Sequence, residues 1–124
     1  MLWLAVGVGG ALGSLARHAV NIGAARWFAP ATPSGTAIVN IVGCLVIGLL
    51  AGLTATGALR LSEQARVFVF VGILGGFTTF SSFGLETLTL IKSGATGAAL
   101  VNVAVQMVLG LGSVFVGYWA AKAL

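Results

Sequence analysis

The chain has 124 residues, of which 59% are hydrophobic and 6% are charged. A soluble domain of this length would carry about a quarter charged residues, so the composition argues against soluble catalysis and cytosolic scaffolding. The net charge of +4 comes from six basic and two acidic residues. Charges this sparse and scattered exclude a nucleic-acid footprint, which needs basic residues clustered on one face, but leave a small anion open as a partner.

Four apolar segments separated by short breaks predict an all-α membrane protein, a single four-helix transmembrane domain over residues 1–124 in the lipid bilayer. The predicted spans are about 3–27, 35–56, 65–92 and 96–121, and each reaches the roughly 20 residues needed to cross a hydrocarbon core. Turn-forming residues fill the breaks, with Pro30, Thr32 and Pro33 in the first. Because no basic residue precedes Arg17, we expect the first helix to be retained rather than cleaved as a signal peptide.

The first span carries polar residues at helical spacing. Ser14, Arg17 and Asn21 follow one stripe, with His18 beside it. Two interpretations of Arg17 stay open: it attracts an anion, or its guanidinium is satisfied by carbonyls or a lipid headgroup. His18 has no cysteine or carboxylate nearby in the sequence, so we assign it no metal or catalytic role.

Amide side chains mark the second and fourth spans. Asn40 lies one turn after Thr36, and one stripe of the fourth span carries Asn102, Gln106 and Ser113. An amide in hydrocarbon needs hydrogen-bond partners. Each set is therefore interpreted either as contacts between helices or as donors along the path of an anion.

Glycines recur at a spacing of four residues in three spans. The pairs are Gly9 with Gly13, Gly48 with Gly52, and Gly72 with Gly76. In lipid, small residues at this spacing let two helix backbones approach closely. We expect most of these glycines to serve helix packing.

The third span is predicted to be a broken helix. Gly75 and Gly76 are soon followed by β-branched Thr78 and Thr79, which is a poor helix interior. Non-helical backbone at the midplane persists only where it is buried in protein or lines a cavity, and its freed carbonyls can coordinate a cation. Gly75 and Thr78 would offer such carbonyls. A continuous helix weakened by glycine is the alternative.

Beyond this break the third span has two different faces. Phe80 and Phe83 project from one face, whereas the other carries the polar stripe Thr78, Ser82, Glu86, Thr89 and Ser93. The edge of an aromatic ring is electropositive, so an anion stripped of water approaches it favourably. Hydroxyl donors combined with Phe edges suit a small anion, with core packing of the Phe pair as the alternative.

The charges of the short loops give almost no orientation signal. With four spans, Arg60, Arg66 and Lys122 lie on one side of the membrane, and Arg26 and Lys92 lie on the other. A Lys and Arg excess in short loops normally fixes how a protein inserts. Three basic residues on one side against two on the other predict dual insertion, with a single orientation set by weaker signals as the alternative.

The sequence resembles the CrcB/Fluc family of fluoride channels along essentially the whole chain. Three motifs carry the resemblance: GGALGSLAR at 9–17, GTAIVNIVG at 35–43 and GGFTTFSSF at 75–83. Position 82 is Ser where the commoner family version has Thr, which preserves a hydroxyl. The resemblance implies a fluoride-selective channel that exports fluoride passively, built as an antiparallel dual-topology homodimer with two pores and a central structural Na⁺. We expect it in the inner (plasma) membrane.

The resemblance also implies roles for individual residues. The Na⁺ would be held by the backbone carbonyls of Gly75 and Thr78. Phe80 and Phe83 would form an aromatic box, with Asn40 as a side-chain donor. The rest of the fluoride pathway would consist of Ser81, Ser82, Thr79, Arg17, Glu86, Asn102, Gln106 and Ser113, of which the last three match only by their polar stripe.

Three other functions fit the sequence less well than a channel. A small four-helix dual-topology efflux transporter needs a membrane acid on its first helix, and this chain has none there. A structural membrane subunit would explain the glycines but not the TTFSSF segment at 78–83. An enzyme is disfavoured, because no nucleophile elbow or metal-ligand spacing joins the Ser, His and acidic residues.

Overall fold

The computed structural model describes residues 1–29 and 33–124, and the regular structure of these ranges is helical throughout. The predicted turn residues Pro30 and Thr32 lie outside the described residues. The elements are α1 (Leu2–Trp27), α2 (Ser34–Ala55), α3 (Glu63–Arg66), a π-helix (Val67–Leu74), α4 (Gly75–Phe77), α5 (Phe80–Lys92) and α6 (Thr96–Lys122).

Three segments of the described chain are long and apolar enough to cross a membrane. They are Ser34–Ala55, Glu63–Lys92 and Thr96–Lys122. Helix α1 has 26 residues and the necessary length, but Arg17 and His18 lower its hydropathy. That α1 also crosses the membrane therefore stays a prediction.

The third span is broken at two threonines. Helical structure continues through Gly75 and Gly76 to Phe77, and then Thr78 (φ −86°, ψ 157°) and Thr79 (φ −154°, ψ 114°) are extended. Extended backbone suits the branched side chain of threonine. The Thr79 hydroxyl accepts a hydrogen bond from the Ser82 N–H and so caps α5, which begins at Phe80.

Glycines bring α1 against the first half of the third span. A methyl group at Gly9 would lie 3.0 Å from the Cα of Gly72, and one at Gly76 would lie 2.5 Å from the carbonyl oxygen of Gly10. Contacts this short leave no room for a side chain. The predicted packing role is confirmed for Gly9, Gly72 and Gly76.

Glycines also allow close packing of α2 against α6. A methyl group at Gly52 would lie 2.5 Å from the Tyr118 carbonyl oxygen, and one at Gly48 would lie even closer to the carbonyl oxygen of Val114. From the other side, Gly117 meets the backbone of Leu45. Helices α2 and α6 therefore pack backbone to backbone, with α5 against α6 and α1 against α2.

Large apolar side chains mostly lie on the outside. Val39, Leu74, Phe83 and Leu90 are buried, whereas 28 large hydrophobic residues among those that the structure describes are exposed on the single chain. A bilayer solvates such a surface, because lipid tails are as apolar as these side chains. The buried polar residues are Thr36 on α2, Thr79 at the break, and Asn102 and Gln106 on α6.

Candidate functional site

Asn40 on α2 holds the broken backbone in place. Its Oδ1 accepts a hydrogen bond from the Thr79 N–H at 2.8 Å, and its Nδ2 donates to the Thr79 carbonyl at 3.1 Å. Backbone groups released by a helix break must find partners inside a membrane protein. This pair of hydrogen bonds, here called the clasp, supplies them at Thr79.

A line of side-chain hydrogen bonds runs from the clasp across α6 to α5. Asn40 Nδ2 also donates to Gln106 Oε1 at 2.7 Å, and Gln106 Nε2 donates to Asn102 Oδ1 at 2.9 Å. Asn102 Nδ2 donates to Thr87 Oγ1 at 3.0 Å, and the Thr87 hydroxyl donates to the Phe83 carbonyl at 2.8 Å. We call Asn40, Gln106, Asn102 and Thr87 the amide chain. The amide chain links α2, α5 and α6 and supplies the hydrogen-bond partners that buried polar groups need.

Three hydroxyls cluster at the start of α5. Thr79 Oγ1 donates to Ser82 Oγ at 3.0 Å and lies 3.3 Å from Ser81 Oγ. Thr79 is buried, whereas Ser81 is exposed on the single chain. The structure thus brings together the three hydroxyl residues that the resemblance assigned to the polar region near the break.

The two phenylalanines contact each other but differ in burial. Their ring centroids are 5.4 Å apart and the ring planes are tilted by 58°. Phe80 is 76% exposed and Phe83 is 7% exposed. Phe83 is therefore part of the packed interior of one chain, whereas Phe80 presents its ring to the surroundings.

A cavity of about 310 Å³ lies beside the break. Of the predicted pathway residues, its lining includes Asn40, Thr79, Phe80, Phe83 and Gln106. Most of the remaining wall is apolar. A small solute in this cavity would meet a few hydrogen-bonding groups set in an apolar surround, which is the usual design of a selective binding site.

Gly75 and Thr78, the predicted cation ligands, also line this cavity. In an unbroken helix the Gly75 carbonyl would accept from the Thr79 N–H, but that N–H is bonded to Asn40 instead. The described part of the chain holds no cluster of three or more His, Cys, Asp and Glu that could bind a metal ion. A cation at the break would therefore depend on backbone oxygens such as that of Gly75.

Glu86 is removed from the cavity. The Thr36 hydroxyl donates to Glu86 Oε1 at 2.5 Å. The other carboxylate oxygen is buried and has no hydrogen-bond partner within residues 1–29 and 33–124. Thr36 and Glu86 join α2 to α5, and neither lines the cavity.

Other predicted pathway residues also lie away from the cavity lining. Arg17 is partly exposed on α1, and the Ser113 hydroxyl donates to the Leu109 carbonyl of its own helix at 2.6 Å. Asn102 belongs to the amide chain but lines a separate groove near the start of α2. Ser81 and Ser82 reach the site only through Thr79.

Sequence reasoning missed Thr87. The predicted stripe included Thr89 and Ser93, but their hydroxyls bond to carbonyls of their own helix, at 2.8 Å to Leu85 and 2.9 Å to Leu90. Thr87 lies one turn after Phe83, so it shares the buried face of α5. The position of Thr87 on the buried face of α5, together with the need of Asn102 for a hydrogen-bond partner, could have indicated this contact from the sequence.

Comparison with known proteins identifies one family over nearly the whole chain. Residues 4–118 match the family described as CrcB-like protein, Camphor Resistance (CrcB). The chain is 45% identical over 120 residues to the fluoride-specific ion channel FluC of Hyphomonas neptunium, covering 97% of this chain and 94% of that protein. It is 48% identical over 120 residues to the FluC protein of Gluconobacter oxydans, covering 95% of this chain and 83% of the other.

Proposed function

Because the chain belongs to the CrcB family, a family of membrane ion channels, we propose that it is a fluoride-selective channel that exports cytoplasmic fluoride passively. It is a multi-pass membrane protein and not an enzyme. The name of its relatives supports fluoride as the ion. The observation that carries the proposal is the cavity beside the break, where Thr79, Gln106 and the two phenylalanines meet in an apolar span.

The chemistry of the cavity suits a small anion. Fluoride holds its water tightly, so a selective path must replace that water with close donors that also release the ion. The cavity offers an amide at Gln106 and the hydroxyl of Thr79, which is itself hydrogen-bonded to Ser82. The edges of Phe80 and Phe83 add electropositive rims that an anion favours and a cation does not.

Passive export follows from the membrane potential. An anion in a cell that is negative inside gains about 2.3 kcal/mol per 100 mV on leaving. No acid on α1 is available for proton coupling, since α1 contains neither Asp nor Glu. We propose that the ion flows through the inner membrane down its electrochemical gradient.

A second copy of the chain completes the pathway in this proposal. Phe80 lines the cavity, yet it is 76% exposed on the single chain, as expected for a wall shared with a neighbour. We propose an antiparallel dual-topology homodimer with two pores. The nearly balanced loop charges and the prevalence of closed two-fold assemblies support it.

We also propose a structural Na⁺ at the break, held by the backbone carbonyls of Gly75 and Thr78. The loss of the usual helical donor to the Gly75 carbonyl supports this fit. A bound cation would make the local potential more positive, which favours an anion nearby.

Fluoride tolerance of cells tests the proposed function. In a bacterial strain without its own fluoride exporter, expression of this protein should restore growth at fluoride concentrations that stop the empty-vector control. The same strain expressing an equal membrane level of the Phe80→Ile variant should stay sensitive. Sensitivity of cells that carry the wild-type protein in the membrane would contradict the proposal.

A further inference from the structure

Two aromatic rings and a lysine meet in the last turns of α6. The Lys122 ammonium lies 4.9 Å from the ring centroid of Trp119 and 5.1 Å from that of Tyr118. The two rings contact each other edge to face, with centroids 5.8 Å apart. Side chains three and four residues apart share one face of a helix. We call these three residues the aromatic–lysine cap, and none of them lines the cavity beside the break.

The aromatic–lysine cap has hydrogen-bond donors and a positive charge but no anionic partner within the chain. An ammonium, a phenol hydroxyl and an indole N–H all donate, and no group in the described ranges 1–29 and 33–124 accepts from them. The chain has two acidic residues, Glu63 and Glu86, and in the described structure neither forms an ion pair with Lys122. The cation–π contacts hold the ammonium beside the rings. Its N–H groups therefore stay available to an external anion.

An apolar stripe leads from the aromatic–lysine cap along the outer face of α6. Its members recur at steps of three and four residues and are 61–68% exposed on the single chain: Val108, Leu111, Phe115 and Trp119. The side chains of α6 that pack against α2, such as Gln106 and the glycines at 110 and 117, lie on the opposite side of the helix. The stripe therefore faces away from the rest of the chain.

The aromatic–lysine cap lies at the depth of a phospholipid headgroup. Helix α6 has 27 residues, which at 1.5 Å per residue gives a length of about 40 Å. This exceeds the hydrocarbon core of a bilayer, which is roughly 30 Å thick. The last turn of α6 therefore reaches the headgroup region, where Trp and Tyr are favoured, while the stripe lies beside the acyl chains.

We propose that the aromatic–lysine cap and the stripe form a binding site for an anionic phospholipid. The lipid phosphate accepts hydrogen bonds from Lys122 and the two ring donors, and an acyl chain lies along Phe115 and Leu111. A zwitterionic lipid brings its own cation to the site, so we expect the anionic lipid to be preferred about fivefold, as one basic residue near an anionic surface provides. The inference does not rest on the proposed function, because the site is separate from the cavity.

Quenching of tryptophan fluorescence by brominated lipids measures this preference. In a protein with Trp3→Phe and Trp27→Phe, the one remaining tryptophan is Trp119, and both replaced side chains are highly exposed. Two sets of vesicles contain the same minority of phosphatidylglycerol in phosphatidylcholine, in both leaflets. The bromine is carried by the phosphatidylglycerol in one set and by an equal amount of the phosphatidylcholine in the other. Brominated phosphatidylglycerol should quench Trp119 at least about twofold more strongly.

Charge substitutions in the same protein complete the test. Lys122→Gln should abolish the difference between the two brominated lipids, because the ammonium provides the preference. Lys92→Gln removes an exposed basic residue from the last turn of α5 and should retain the difference.

Three results would overturn the proposal. Equal quenching by the two lipids in the protein with Lys122 would mean that the stripe contacts lipid without selecting it. Weak quenching by both would mean that a second copy of the chain covers the stripe. A difference that persists in Lys122→Gln would exclude the ammonium as its cause.

Discussion

Phe80 and Phe83 are equivalent in the sequence pattern, but the structure separates them by burial. Since Phe80 is 76% exposed, Phe80→Ile should leave the folding of the single chain intact. Fluoride efflux should nevertheless fall at least about tenfold, because an aliphatic side chain lacks the electropositive ring edge. Proteoliposome efflux and thermal unfolding of the same preparation check both halves of this prediction.

A matched control distinguishes the loss of a ring edge in the cavity wall from the loss of an aromatic residue elsewhere on the surface. Phe115 on α6 is 65% exposed and does not line the cavity, so Phe115→Ile should conduct like the wild type. Unchanged efflux in a folded Phe80→Ile protein would contradict an aromatic contribution to the pathway.

Asn40 is expected to be important for stability as well as for conduction. Asn40→Leu removes the three hydrogen bonds of this side chain, which at about 1 kcal/mol each destabilises the fold by about 3 kcal/mol. Thr87→Val breaks only the far end of the amide chain. It should lower the free energy of unfolding by about half as much as Asn40→Leu or less. Thermal unfolding in detergent measures both, and equal stability of Asn40→Leu and wild type would exclude the clasp.

The need of Asn40 for partners could be predicted from the sequence, but the identity of those partners could not. An amide in an apolar span must be bonded, yet Gln106 reaches Asn40 only because α2 and α6 pack at glycine distance. Thr79 reaches it because the third span breaks beside α2. Which hydroxyl of α5 meets Asn102 depends in the same way on helix rotation. Rotation of this kind is a tertiary property that spacing along one helix does not fix.

At the level of elements, the apolar runs predicted the helices well. The observed bounds differ from the predicted segments by at most two residues. The break was predicted for the segment in which Gly75 and Gly76 are followed by Thr78 and Thr79, and within it the extended residues are the two threonines. There the clasp on Thr79 offers the backbone other partners. The π-helix at Val67–Leu74 had no sequence signal, because its eight residues are apolar almost without interruption.

Helix α1 offers a paired glycine test. A methyl group at Gly13 would lie 2.8 Å from the backbone nitrogen of Phe77, so Gly13→Ala should destabilise the protein by roughly 1–3 kcal/mol through overpacking. Gly7 lies on the same helix with nothing within 4 Å of an added methyl group, so Gly7→Ala should be neutral or stabilising by up to about 1 kcal/mol. Thermal unfolding that ranks Gly7→Ala as the less stable variant would contradict the packing of α1.

At the level of the whole molecule, three motifs sufficed to predict the family, and the matches over nearly the whole chain confirm it. Two of the motifs, at 35–43 and 75–83, contain residues that line the cavity beside the break. The dimer and its dual topology stay predictions, because no feature of one chain describes its partner.

Loop charge gives the orientation prediction. Reporters fused to the C-terminus should map to both sides of the membrane for the wild type. Lys92→Ala changes the balance from three against two to three against one, so it should shift the population towards the form with Arg60 and Arg66 in the cytoplasm. Reporters confined to one side in both proteins would contradict dual insertion.

Efflux of fluoride and of chloride from proteoliposomes containing the purified protein tests the central claim most directly. With a potassium ionophore to balance charge, fluoride should leave rapidly while chloride is retained, since the larger anion fits the amide, hydroxyls and ring edges of the cavity less closely. Retention of fluoride, or equal loss of both anions, would contradict a fluoride-selective pathway through this site.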